Sequence, residues 1–464
     1  MKFKSLLILS VIFLASCEKQ LDEDAKVENS QISLNSISEN SKIPYADSSS
    51  LAEFKNDKSI INYNFARKLA LIELDGSGFQ SDLKWTGYAV SKQPVIIYGF
   101  DSKPKFYEFI VKDAENKAIG TVTVHARRQS STMLNEVIPS IKNYSTLFLK
   151  SKNSGSKIIS GIAGQRYVGL VGKSGDTPTE VVDPISGDLI TGQQELTDEQ
   201  ILKAISDTLK IIDKYTKISI NSLPDSRYKD SLIIADSIPI EGKIETLKQR
   251  LIEEKKNRKE YWNLVDTYSD SIQALSDEEI ISKSKGLGSL IRIFDFKNDA
   301  AKKIDKFRNN ISFAKGGWCG PWAMNYIYNT VKGGNDYSYF EKFAGTIGLV
   351  GSNFVFSAIS GTKPMFPSEM NLSMVSRGIW IDPTFYFNQW DGYYYVRIIQ
   401  RPLCIAIVTS GQGHWIVAYG TKTTGTYAWR NYWYAINDNG TMTSNNEYWW
   451  QAPWFMAYVR VLYV

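Results

Sequence analysis

The chain holds 3 cysteines and 2 histidines among 464 residues, so its candidate nucleophiles and bases can be weighed one at a time. Cys319 stands in Lys315-Gly316-Gly317-Trp318-Cys319-Gly320-Pro321-Trp322-Ala323-Met324-Asn325. Two glycines make a turn, and a proline at 321 suits the first turn of a helix predicted to run to about Thr330. A cysteine at a helix N-terminus meets unpaired N–H groups and the positive end of the dipole, which favour the nucleophilic thiolate. The backbone N–H of Cys319 is also placed to help bind an oxyanion. A base must come from elsewhere, and His414 is the candidate. It follows Gly411-Gln412-Gly413, read as a Gly-rich turn, and opens the apolar strand Trp415-Ile416-Val417-Ala418. Leu403 to Val408 is an apolar strand before it, and Tyr427 to Ile436 is a third strand, closed by Asn437-Asp438-Asn439-Gly440. An amide or carboxylate at that strand end would hold the imidazole in one tautomer. A Cys at a helix start, a His opening a strand and an Asn or Asp closing the next can together perform acyl transfer.

The remaining candidates weigh less. His125 ends a predicted hairpin, Lys105 to Val111 and Gly120 to His125 about a turn at 113–117. Val122 and Val124 share one face of it and Thr121, Thr123 and His125 the other, so His125 is expected to be a half-exposed strand residue. Cys404 lies inside an apolar strand and is expected in the core. Trp429, Trp433, Trp449, Trp450 and Trp454 are read as core and cleft wall rather than a sugar site. With so few His and Cys there is neither a His-rich metal cluster nor a disulfide framework, and no metal or cofactor is expected.

Those residues need a scaffold, and the composition allows one. Apolar residues make up 43% and charged residues 22%, which is globular, and the length suits two or three domains. The net charge of +5 is too weak to argue for a nucleic-acid partner. Residues 59–75 have helical periodicity and open an α+β segment, 59–195. Residues 196–300 read as helical, with Thr197 and Gln200 spaced as a capping box. Residues 301–464 carry 10 of the 12 tryptophans and all the chemistry described above.

The first residues address the protein to an envelope. Lys2 and Lys4 precede an apolar run, Leu6 to Leu14, far short of the roughly 20 residues that span a bilayer, so this is a signal peptide. Leu14-Ala15-Ser16-Cys17 resembles the bacterial lipobox, which implies cleavage before Cys17 and acylation of its thiol. Residues 1–17 are then a lipoprotein signal with its acceptor, and the polar residues 18–58 a tether. The acidic cluster after Cys17 is similar to export signals of surface-exposed lipoproteins. The location implied is a bacterial membrane, the outer membrane in particular.

Cys319-Gly320-Pro321, Pro402 before an apolar strand, Gly413-His414-Trp415 and the Asn437 turn resemble the papain-like cysteine peptidases. The streptopain family and the bacteriocin-leader-cleaving peptidases are the most similar branches. The resemblance covers about residues 305–464 and implies an α+β, two-lobed domain, with a helix carrying Cys319 facing an antiparallel sheet carrying His414. It implies hydrolysis of peptide bonds by Cys319, His414 and Asn437 on a peptide or protein substrate. Streptopain relatives also carry a pro-region, to which the helix and hairpin at 59–130 are similar. Residues 59–290 are then a pro-region, a binding module or a spacer, and the first of these implies cleavage between about 285 and 315 that frees the catalytic domain from its anchor. Two departures stand out. No Gln occurs between Gln273 and Cys319, where the family places an oxyanion donor, and the bacteriocin-leader pattern would favour Asp438 over Asn437. Two alternatives follow, an inactive binding module on the same scaffold and another Cys–His acyl transfer of amidase or transglutaminase type. Trp318-Cys319-Gly320-Pro321 also resembles the thioredoxin motif, but Trp322 replaces its second cysteine, which removes the dithiol.

Overall fold

The computed structural model describes residues 45–46, 51–142, 157–161, 166–171, 178–182, 189–190, 195–222, 239–276, 285–304, 319–332, 370, 374, 379–381, 385–409, 412–426, 429–437 and 447–463. Helix α1 (Tyr63–Gly76) begins where Asn62 accepts a hydrogen bond from the Asn64 N–H at 2.9 Å, an N-cap that satisfies one orphan donor. It buries Ala66, Leu69, Ala70, Ile72 and Leu74, the stripe expected of an amphipathic helix. The short helix α2 (Phe79–Asp82) follows from Gly78, whose φ of +73° is a left-handed turn that glycine makes without strain. A Cβ on Gly76 would fall 2.1 Å from the Phe296 ring, so this glycine admits a ring from far along the chain.

Strands β1 (Ala89–Val90), β2 (Val95–Tyr98), β3 (Pro104–Lys112), β4 (Ala118–His125) and β5 (Leu134–Ile138) come next. The β3–β4 hairpin is the predicted one, and its turn is closed by Asp113 accepting from the Glu115 and Lys117 N–H groups, with Asn116 at φ +63°. β6 (Lys157–Ser160), β7 (Arg166–Val171) and β8 (Pro178–Val182) extend the sheet, β6 pairing with β2 in parallel. Helix α3 (Asp198–Ser222) opens with the capping box read from the sequence. The Thr197 N–H donates to Gln200 Oε1 at 2.8 Å and the Gln200 N–H to Thr197 Oγ1 at 3.3 Å. Then come α4 (Ile240–Thr267), α5 (Ser269–Ala274), α6 (Lys285–Phe294), β9 (Lys302–Lys303), α7 (Cys319–Lys332), β10 (Trp380–Ile381) and α8 (Gln389–Tyr394). A π-helical turn, Tyr395–Ile399, prolongs α8. Strands β11 (Leu403–Thr409), β12 (Gln412–Thr424), β13 (Asn431–Asn437), β14 (Glu447–Gln451) and β15 (Ala457–Tyr463) complete the fold.

The architecture is α+β with one large mixed sheet. Its order is β10-β15-β11-β12-β13-β14-β5-β4-β3-β2-β6-β7-β8, with β1 beside β3 and β9 beside β12. The sheet runs without a break from the C-terminal strands into the N-terminal ones, through Val137 opposite Trp449 and Glu136 opposite Trp450. Two cores lie on it. The first joins α1, the end of α4 (Tyr261, Trp262, Val265), α6 and β3–β5 to Ile405, Ile416, Trp433 and Trp449. The second holds Ala323, Met324, Tyr326 and Ile327 of α7 against Cys404, Ala406, Trp415, Val417 and Val459. Strand alternation sends successive residues of β11 and β12 to different cores. All five tryptophans read as walls are buried, and so is Cys404.

The first core therefore spans the expected boundary near residue 300. Phe79 sits 4.9 Å from the Trp433 ring and 6.0 Å from Trp449, both edge-on. Lys422 Nζ meets Asp82 at 2.6 Å, and Tyr261 donates to the buried Glu73 at 2.6 Å. Residues 285–304, expected to contain a cleavable linker, hold α6 in this core and β9 paired to β12 at Lys302–Thr421 and Lys303–Gly420. Residues 305–315 lie outside the described residues.

Candidate functional site

Cys319 is the first residue of α7, as the Gly-Gly-Trp lead-in and Pro321 predict. The helix runs 14 residues and lies against β12, with its Ala323, Met324 and Ile327 in the same core as Trp415 and Val417 of that strand. Trp415, next to His414, is clamped by a stacked Phe385 ring at 5.8 Å. Cys319, His414 and Asn437 are placed by their backbones; their side chains lie outside what the structure describes.

The register gives those positions. β12 begins at Gln412 and pairs with β11 as far as Thr409, so Gln412 and Gly413 extend the strand instead of forming the turn expected there. His414 is therefore the third residue of its strand. His414 is opposite Ile407, the next pair beyond Ala406–Trp415. Ala406 and Trp415 belong to the core under α7, whereas Ile405, Ile407 and Ile416 belong to the other, so the His414–Ile407 position alternates away from α7. Asn437 closes β13 opposite Val417, three residues along from His414, which is about 10 Å at strand rise. The structure thus brings the Cys-bearing helix onto the His-bearing strand, and sets Asn437 on the neighbouring strand but not level with His414. Asp438 and Cys17 lie outside the described residues.

His125 is a half-buried strand residue, as expected. Its Nε2 is enclosed and has no hydrogen-bond partner among the described residues. Burial, helped by the positive charges of Arg258 and Lys105, lowers the imidazole pKa to about 3, so the ring is neutral. The face it shares with Thr123 is covered because it carries an ionic core that the sequence analysis missed. Glu108 and Glu136 are buried with Lys142 and Arg166. Lys142 Nζ lies 2.7 Å from Glu108 and 2.9 Å from Glu136, and Arg166 pairs with both carboxylates. Burial alone would raise the Glu136 carboxyl, but Lys142 and Arg166 outweigh it and hold it at about 2. A signal was present, since Glu108 and Glu136 interrupt otherwise apolar strands. With two cations matched to two anions, the cluster is a neutral structural unit.

The second buried acid, Glu73, accepts from the Thr132 hydroxyl at 2.6 Å, from the Met133 and Leu134 N–H groups and from Tyr261. Burial raises its pKa against the pull of those donors. It lines a narrow crevice with Ser131, Thr132, Trp429 and Asn431, between the N-terminal and C-terminal parts of the first core. Its donors occupy the carboxylate, which tie β5 to α1 and α4. Among the described residues no group of three or more His, Cys, Asp and Glu is arranged to hold a metal, and no helix is long and apolar enough to cross a membrane. Neither a scan against protein-family models nor a search of curated proteins finds a match to the chain.

Proposed function

We propose that the protein is a lipid-anchored cysteine peptidase of papain-like type, held to a bacterial envelope through Cys17. The observation that carries the reading is the packing of α7, which begins at Cys319, directly on β12, which bears His414, with Asn437 on the adjacent strand. In this reading the Cys319 thiolate attacks the scissile carbonyl carbon and the oxyanion is met by the Cys319 N–H at the start of α7. His414 takes the thiol proton and gives it to the leaving amine, leaving a thioester that water hydrolyses. Asn437 orients the imidazole. The substrate is a peptide or protein, and no metal or cofactor takes part. Any pro-peptide function of residues 59–195 operates within the shared core, so cleavage near residue 300 leaves the two parts associated through β5–β14 pairing.

A second reading, an inactive binding lipoprotein on this scaffold, is favoured by one specific observation. The register sets the His414–Ile407 position on the side away from α7 and Asn437 about 10 Å along the strand. The two readings separate on hydrolysis of a mixed fluorogenic peptide library by the full mature chain. A peptidase cleaves, and Cys319→Ala abolishes cleavage. Asn437→Ala and Asp438→Ala, compared side by side, show which orients the base. Absence of any Cys319-dependent cleavage favours the binding module.

A further inference from the structure

One helix is apolar on its outward side as well as its inward one. α8 and its π-helical turn bury Gly392, Tyr393, Tyr395 and Val396 inward, yet the outward positions are Trp390, Tyr394, Ile398 and Ile399. These are 47%, 47%, 54% and 43% exposed. Four other large apolar side chains are comparably exposed among the described residues, and they come from four separate segments (Tyr45, Leu189, Ile252 and Ile293). Isolated exposure of that kind is ordinary, whereas a contiguous apolar face marks an interaction surface. Trp390, Tyr394 and Ile398 follow one another at helical spacing, and the Trp390 ring is braced by stacking on Tyr393 at 5.6 Å. The Tyr393 hydroxyl in turn donates to Asp299 at 2.5 Å, so the face is built on a fixed base.

The rim of this face is basic. Arg397 lies over the Tyr393 ring, 5.5 Å from its centroid, and donates to the Ala300 carbonyl at 2.9 Å. The exposed Lys302 and Lys303 of β9 adjoin the π-helical turn. Asp391 is the exposed acid on the same helix. Indole and phenol rings combine an apolar body with a polar tip and settle at the headgroup level of a bilayer, and basic side chains beside them favour anionic lipid.

We infer that the Trp390–Tyr394–Ile398–Ile399 face docks on the surface of an anionic lipid bilayer, with Lys302, Lys303 and Arg397 toward the headgroups. The inference deepens the lipid-anchor part of the reading above. Residues 18–44, between the acyl site at Cys17 and the first described residue, extend to at most about 90 Å, so the anchor keeps this face within reach of the membrane. The acyl chains hold the protein there, and the helix face sets its orientation.

The test uses the chain from Glu18, which keeps every described residue and carries no acyl group, sedimented with phosphatidylcholine vesicles containing about 30% phosphatidylglycerol. The wild-type chain is expected to co-sediment. The combined Trp390→Ser, Tyr394→Ser and Ile398→Ser substitutions should weaken binding about tenfold or more while the chain stays folded by circular dichroism at the assay temperature, since all three side chains are about half exposed. Lys302→Glu with Lys303→Glu should weaken binding to these vesicles and remove its salt dependence. Absence of co-sedimentation by the wild-type chain, or equal binding by the triple variant, overturns the inference. So does a wild-type dimer, dispersed by the triple variant and indifferent to vesicles, because it assigns the face to a second copy. The mass of the mature envelope protein reports acylation of Cys17 independently, so loss of the anchor reading is distinguishable from loss of this one.

Discussion

Phe79→Ala should destabilise the N-terminal and C-terminal parts of the molecule together. The ring is fully buried and is held edge-on by Trp433 at 4.9 Å and Trp449 at 6.0 Å, two residues of β13 and β14, while Lys422 Nζ lies 5.2 Å above it. Truncating a buried Phe to Ala costs about 3–5 kcal/mol, depending on how far the site collapses. Here the neighbours are large rings on paired strands, which cannot move in to fill the gap. Each aromatic pair adds about 0.5–1.5 kcal/mol beyond area burial. A loss in the upper half of that range, about 4–5 kcal/mol, is expected. The assay is guanidinium unfolding followed by tryptophan fluorescence, which reports chiefly on residues 318–454, and by far-ultraviolet circular dichroism. Both curves should shift to lower denaturant by the same amount, although the substituted residue lies more than 200 positions before most of the fluorophores. A fluorescence transition that stays in place while a separate one moves would refute a common core. It would restore the picture of a detachable pro-domain before residue 300.

Three further outcomes follow from the buried charges. Lys142→Met leaves Glu108 and Glu136 facing Arg166 alone and should cost about 3–5 kcal/mol by denaturant unfolding. Adding Glu136→Gln rebalances the cluster, so the double variant should be more stable than Lys142→Met; strict additivity would argue against the coupling. Burial pushes the Glu254 carboxyl up to about 7 from an ordinary 4.5, against the pull of Arg258. Between those values the folded chain holds a proton that the unfolded chain releases, so stability falls as pH rises through the window, by about 3 kcal/mol at most. Glu254→Gln should flatten that fall, as a stability difference measured at pH 5 and 8; an unchanged slope would show that the carboxyl is not raised. His125 works in the opposite direction, because its folded value is depressed to about 3. Its contribution is present above about pH 6.5 and is lost as pH falls toward 3, and His125→Phe should reduce acid unfolding in that range.

What the sequence disclosed was local. The periodicity of α1, the Thr197–Gln200 capping box, the Asp113–Asn116 turn and the Gly-Gly-Trp-Cys helix start each depend on residues a few positions apart, and each is found where expected. The pairing of β5 with β14 joins residues some 300 positions apart, and no local pattern encodes it. The face shared by Thr123 and His125 has the alternation of an exposed surface, and only Lys142 and Arg166, from other segments, turn it into an ionic core. The candidate site divides in the same way. The order of Cys319, His414 and Asn437 and the elements bearing them are legible from residue types. Their register is not, because it depends on the pairing of Thr409 with Gln412 and on a shift in the β12–β13 pairing between Ala418 and Gly420.

The most direct test of a Cys319–His414 pair is alkylation of Cys319 by iodoacetamide in the mature chain, followed by peptide mass across pH 4–9, with His414→Ala in parallel. A paired, helix-capped thiolate predicts rapid labelling below about pH 7 that the variant loses. Labelling that begins only near pH 8, or that is the same in both chains, would contradict the peptidase reading and leave the scaffold as a binding module.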